Sequence, residues 1–204
     1  SKMTSTNTPK FKLKKEQYDV APVSFNTAIF IIASCMLFAA LISAYLVHQP
    51  DGLAKQTWTV FELPMAFMAS TIIAVLSSVT IYLAYLFAKK DELKKNKLFL
   101  ILSLALGLAF CISQFMGWQA LTAMNLTFVN PRPADISASY IYVITALHLI
   151  HVFGGIVLLT VTLVRSFQFK VHKKQITLMQ VSHTYWHFVG ILWFMLYLFI
   201  YFAQ

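Results

Sequence analysis

Four histidines carry the side chains in this 204-residue sequence whose type and spacing offer chemistry most directly. His148 and His151 stand at i and i+3, and His183 and His187 at i and i+4, so each pair shares one side of a helix. Neutral imidazole is a ligand that needs no buried anion, so four facing histidines could hold haem iron or another metal. The other account is a hydrogen-bonded contact between helices, with Thr145, Tyr185 and Ser182 as partners. No carboxylate accompanies the pairs, as a two-metal site would want, and an i,i+3 spacing is too close to hold two haems at different depths. Both points favour the contact account. Elsewhere there is no Gly-rich phosphate loop, no paired carboxylates, no Ser/His/Asp set and no Cys beside a base. Cys35 and Cys111 each sit alone in apolar runs, so neither a disulfide nor a CxxC motif can be drawn from them. The chain itself is therefore expected to be non-catalytic, with no catalytic residue, cofactor or metal of its own.

The elements that position these histidines are set by composition. With 59% hydrophobic residues, 11% charged residues and a mean hydropathy of +0.70, a water-soluble fold is excluded. Eighteen Phe, nine Tyr and four Trp against six Gly exclude disordered and collagenous classes. A bilayer core needs about 20 apolar residues in a helix, because hydrocarbon satisfies no open backbone group. Segments 25–47, 61–88, 98–121, 138–164 and 176–202 qualify, and the only charged residue in any of them is Glu62 at an edge. The predicted architecture is all-α and integral to the membrane: a basic tail over 1–24 and a five-helix bundle over 25–204. Counted at about 1.5 Å per residue from the outer ends, His151 lies about 20 Å deep and His187 about 22 Å deep, so the two pairs meet if these antiparallel helices are neighbours.

The intervening pieces read as loops: 48–60 with Pro50-Asp51-Gly52, 89–97, 122–137 with Asn130-Pro131-Arg132-Pro133, and 165–175. Basic residues concentrate in the tail (Lys2, Lys10, Lys12, Lys14, Lys15), the second loop (Lys89, Lys90, Lys94, Lys95, Lys97) and the fourth (Arg165, Lys170, Lys173, Lys174), leaving only Lys55 and Arg132 in the first and third. That alternation predicts a cytoplasmic N-terminus and an outer C-terminus, and it accounts for the net charge of +9 without nucleic acid. The tail has no apolar h-region or cleavage site, so no signal peptide is expected to be removed. No internal or inverted repeat is evident, which argues against a secondary transporter. Pro64 reads as a first-turn proline and Glu62 as a charge just inside a helix N-terminus. The pairs Ala39/Ser43, Ala40/Ala44 and Ala105/Ala109 fit close helix approach and chance in an Ala-rich sequence equally well.

The fifth segment reads His183-Thr184-Tyr185-Trp186-His187-Phe188-Val189-Gly190-Ile191-Leu192-Trp193, which resembles the YWHFVDxxW signature closing subunit III of haem-copper oxidases. The run Thr145-Ala146-Leu147-His148-Leu149-Ile150-His151-Val152-Phe153-Gly154-Gly155 resembles that family's TGFHGLHVxxG segment, in the same order and at the same distance. Residues 33–47 are similar to its first-span stretch, and Ser77-Ser78-Val79-Thr80 to its SSxT run. The resemblance covers about 25–202 and fits the short bacterial form with five helices. Three positions depart from it: Ser34 stands where many members carry a buried carbodiimide-reactive Glu, Gly190 replaces the usual Asp, and Gly117 replaces another Glu after Gln114.

The resemblance implies a non-redox subunit of a bacterial inner-membrane oxidase, packed against oxidase subunits I and II, which would carry the haems and copper. It also implies phospholipid in a cleft between helix groups, support of proton uptake and turnover stability, and a larger respiratory supercomplex as a further candidate partner. His148, His151, His183, Trp186, His187 and Trp193 would then be structural, in lipid or interhelical contacts. The three lost carboxylates count against a direct proton-carrying role for this chain. The rivals are a quinol oxidase or nitric oxide reductase accessory subunit, and a membrane-anchored cytochrome ligated by the four histidines.

Overall fold

The computed structural model describes residues 21–58, 60–128, 136–168 and 172–203. Five helices account for nearly all of them: α1 (Ala21–Ala54), α2 (Met65–Lys89), α3 (Leu93–Ala123), α4 (Ile136–Phe167) and α5 (His172–Phe202), with no strand among the described residues. All five are long and apolar enough to cross a membrane. The Lys residues of the tail, the turn around Pro131 and Lys170 lie outside the described residues.

Helices α2 to α5 form a closed ring in which α2 packs on α3 and α5, and α4 packs on α3 and α5, while α1 lies outside against α4 and α5. The ring has a regular seam. On α3 the buried residues Asn96, Leu100, Ser103, Gly107, Phe110, Gln114, Gly117 and Leu121 alternate steps of four and three. The same rhythm runs through Ala138, Ile141, Thr145, His148, Val152, Gly155, Leu159, Thr162 and Ser166 on α4, and through Met179, Ser182, Trp186, Val189, Trp193, Leu196 and Ile200 on α5. A mean spacing of 3.5 residues keeps one face inward and winds the helices into a left-handed bundle. Ser, Thr, Gly, Asn and Gln occupy much of the seam, because in a membrane the outside is as apolar as any core and close approach with polar pairing decides which face turns in.

Trp186 shows how tight the seam is. A Cβ on Gly107 would stand 2.7 Å from the indole, and one on Gly155 2.8 Å from it, so the ring fills a slot that two glycines on α3 and α4 leave open. Its indole N–H donates to Ser77 Oγ on α2 at 2.8 Å. One side chain thus ties all four helices of the ring.

Several helix ends differ from the sequence expectation. The turn expected at Pro50-Asp51-Gly52 is helical, and α1 continues to Ala54 with Pro50 inside it. The chain reverses later, at Gln56 (φ 55°), where the Lys55 and Thr57 amides donate to Asp51 and Gly52 carbonyls. Trp58 then folds back over Gly52, where a Cβ would come within 2.8 Å of its ring. At the other side of this loop α2 starts at Met65, not 61, because Pro64 (φ −54°, ψ 139°) is extended and forms the N-cap. Pro64 is thus one residue ahead of the first turn, and Glu62 lies outside the helix, not within it. The basic segment 89–97 contracts to three residues between α2 and α3, since Lys is a good helix former whose stem lies along apolar surface. Lys89, Lys95 and Lys97 lay their ammonium groups over the rings of Tyr85, Phe87 and Phe167.

Candidate functional site

The seam and the α1 contact place every histidine that the sequence singles out. His148 is 1% exposed, with its ring between those of Phe110 and Trp193 at centroid distances of 5.7 and 5.1 Å. Its Nε2 donates to the Val189 carbonyl of α5 at 3.1 Å, and because that oxygen only accepts, Nδ1 is left as an acceptor, buried and unpartnered.

His151 turns to α1 instead. It lies between the Phe30 and Phe38 rings, with Nδ1 2.8 Å from the Leu147 carbonyl and Nε2 3.1 Å from Ser34 Oγ. Ser34 Oγ is also 2.8 Å from the Phe30 carbonyl. With a neutral imidazole, these three contacts share two protons, so one contact at a time goes without a hydrogen. Tyr185 of α5 closes the junction by donating its hydroxyl to the His151 carbonyl at 2.9 Å.

His183 and His187 face the other way, toward α2. Their rings meet edge to face at 4.4 Å, and His183 stacks on Tyr85 at 4.7 Å with Nε2 buried and unpartnered. The two pairs therefore do not converge: His148 points into the ring, His151 to α1, and His183 and His187 to α2. Three residues on a helix differ by a sixth of a turn, enough to put His148 and His151 on opposite edges of one interface. Among the described residues no group of three or more His, Cys, Asp or Glu could hold a metal ion.

The hydrogen-bond partners expected for the histidines are also corrected. Thr145 accepts from the Trp118 indole at 3.0 Å, Ser182 pairs with Thr162 at 2.7 Å, and only Tyr185 reaches a histidine, at its backbone. Trp186 and Trp193 are both buried, and both donate to α2: Trp186 to Ser77, and Trp193 to Thr71 Oγ1 at 3.1 Å. Trp193 is 1% exposed, with Phe67 stacked on it and Phe110 edge-on, so its indole faces protein on every side.

The three positions that depart from the family pattern are each accounted for by a neighbour. Ser34 pairs with His151. A Cβ at Gly117 would meet the Phe67 ring at 2.9 Å, so no side chain fits there unless that ring moves. A Cβ at Gly190 would meet Ser78 Oγ at 2.9 Å, where α5 approaches α2.

Asn96 is a residue that the sequence reading passed over as loop. It is buried, donates to the Ala84 carbonyl at 2.8 Å, accepts from Ser166 Oγ at 3.1 Å and reaches Met179 Sδ at 3.8 Å, joining four helices at one end of the ring. The run 96, 103, 110, 117 at seven-residue spacing is the signal that could have found it. Near the other end, Gln114 donates to Ser70 Oγ at 2.9 Å.

The sequence profile of the family described as "Cytochrome c oxidase subunit III" matches residues 17–204. Among its relatives, "Cytochrome c oxidase subunit 3" of Corynebacterium diphtheriae is 28% identical over 186 residues, covering 89% of this chain and 88% of that protein. The protein of the same name from Thermostichus vulcanus is 28% identical over 178 residues, covering 85% and 83%. "Cytochrome bo(3) ubiquinol oxidase subunit 3" of Buchnera aphidicola is 24% identical over 179 residues, covering 87% and 92%. The match takes in all five helices, the Ser34–His151 junction and the whole α5 seam. With five helices able to cross a membrane and relatives of this kind, the chain is a multi-pass protein of the bacterial inner membrane and belongs to the cytochrome c oxidase subunit III family, the non-catalytic third subunit of haem-copper oxidases.

Proposed function

We propose that this chain serves its oxidase as a rigid membrane scaffold, with the haems and copper on partner subunits I and II and with phospholipid held on its outer faces. The observation that carries this reading is the interior of the ring, where Ser, Thr, Asn, Gln and Trp side chains pair across helices and no carboxylate among the described residues enters a seam. The acids among the described residues, Asp51, Glu62, Asp91 and Glu92, all lie at helix ends or between helices. Such an interior supplies stiffness, and among the described residues His148 is the imidazole that points into it. In this reading the tail 1–24 and the α2–α3 loop face the cytoplasm, following the distribution of basic residues. Residues 25–204 act as one membrane unit, and support of proton uptake and of turnover stability is exerted through packing against the catalytic subunit. Assembly into a larger respiratory supercomplex is compatible with it.

The test is turnover of the oxidase assembled with and without this chain. The reading requires equal initial rates and unchanged haem spectra, with faster loss of activity over repeated turnovers in its absence. Loss of haem or copper from the complex on removing the chain would count against it.

A quinol donor is the second reading, favoured by the bo(3)-type relative. Oxygen consumption driven by reduced cytochrome c, compared with a reduced quinol, separates the two.

A further inference from the structure

Helices α2 and α5 enclose a trough of about 490 Å³, open to the membrane and lined by Ser78, Tyr82, His187 and Gly190 among apolar side chains. Its floor exists because residue 190 has no side chain, which lets α5 come within 2.9 Å (Cβ position to Oγ) of Ser78. Ser78 lies about 20 Å along α2 from Met65, and His187 about 22 Å along α5 from Phe202, so both sit near mid-membrane. Neither these two side chains nor Tyr82 has a hydrogen-bond partner among the described residues; His187 has only the ring of His183. Polar groups left open in hydrocarbon are costly, and an acyl chain offers them nothing. Ser77, Thr80, Ser103 and Trp186, at a similar depth, are paired within the ring, and the open Nδ1 of His148 is enclosed inside it, out of a partner's reach.

We propose that this trough is the face applied to the oxidase's membrane-spanning partner, and that a transmembrane helix of that partner lies along it and hydrogen-bonds His187 and Ser78 through a polar side chain at mid-membrane. Hydrogen-bonding complementarity selects the occupant: two open polar groups at one depth, on opposite walls of a shallow trough, suit a helix carrying one polar side chain among apolar ones. The inference rests on the subunit role and specifies the surface through which it is exercised.

The test uses the whole oxidase in native membranes, with a benzoylphenylalanine photo-crosslinker in place of Ile191 on the trough or, separately, in place of Met36 on α1, positions 63% and 68% exposed. Position 191 should crosslink to a membrane-spanning oxidase subunit. His187→Leu should weaken retention of that subunit roughly five- to thirtyfold, the equivalent of one polar contact between membrane helices, while His187→Gln should retain it. Crosslinks from 191 to lipid or to a quinone alone, protein crosslinks from 36 alone, or full retention in His187→Leu would each overturn the assignment and leave the subunit role standing. Recovery of no oxidase subunit with the wild-type chain would overturn both.

Discussion

His151 and Ser34 stand 3.1 Å apart, Nε2 to Oγ, across the boundary between α4 and α1. Further side-chain hydrogen bonds from α1 to the rest of the fold lie toward its far end. Tyr45 and Gln49 donate to the Ala203 carbonyl there, and His48 meets the Tyr140 hydroxyl. Apolar contact comes from a small cluster of Phe38, Ile144 and Leu196 and from the rings of Phe30 and Tyr45 packed on α4 and α5. The helix outside the ring is thus tied to α4 at mid-depth through Ser34.

Ser34→Ala should loosen α1 without disturbing the ring. The loss of one interhelical polar contact is worth about 1–2 kcal/mol in a membrane helix pair. Denaturant titration in detergent should show the lowered stability, and a probe at Leu37 should report α1 release before probes on α3. A Ser34→Ala protein as stable as wild type would show that the contact contributes nothing.

Gly107→Ala should destabilise the ring, because the indole that would have to yield is backed by Gly155 on its other side. Overpacking of this kind costs about 1–3 kcal/mol. A double-mutant cycle with Trp186→Leu should recover part of the loss, since the smaller side chain leaves room for the new methyl. Additive effects in the cycle would contradict the slot geometry.

Dicyclohexylcarbodiimide should modify no mid-membrane residue of this chain, and inhibition of the assembled oxidase should map to another subunit. The reagent attacks carboxyl groups that hydrocarbon keeps in the neutral acid form, and no described helix carries one at that depth. Ser34→Glu should create a labelled site. Peptide mapping reads both results, and labelling of Glu62 accompanied by lost proton pumping would assign the boundary carboxylate a role that this account denies it.

Reporters at Lys94 should be cytoplasmic, and reporters near Gly52 should be outside, following the distribution of basic residues. Labelling of position 94 from the outer face of intact cells would reverse the orientation.

The five membrane helices were legible as apolar runs, because hydrocarbon admits few other backbones. Their ends were not. Pro50 lies four residues before the end of α1, and the helix runs on past the backbone bond to Leu46 that proline cannot donate, while the Lys residues at 94, 95 and 97 extend α3 where they had suggested a loop. The inward faces were hidden from any search for an apolar stripe, since lipid-facing residues such as Leu108 and Ile191 are as apolar as the core. The rhythm of small and polar residues, Asn96, Ser103, Gly107, Gln114 and Gly117 on α3, was the signal that remained. The histidines were legible as a set, but their directions depend on which interface each helix edge meets. That is a property of packing, which spacing along one chain does not contain.

The central claim is that this chain is a non-redox subunit of a haem-copper oxidase, and it is tested most directly by purifying the complex through a tag on this chain in mild detergent, then separating the chain from its partners. Mass spectrometry and absorption should find a large haem- and copper-bearing chain in the intact complex. After separation this chain should show neither a Soret band nor stoichiometric iron, copper or zinc. A metal or haem that stays with the isolated chain and is lost in His151→Ala or His187→Ala would contradict the account.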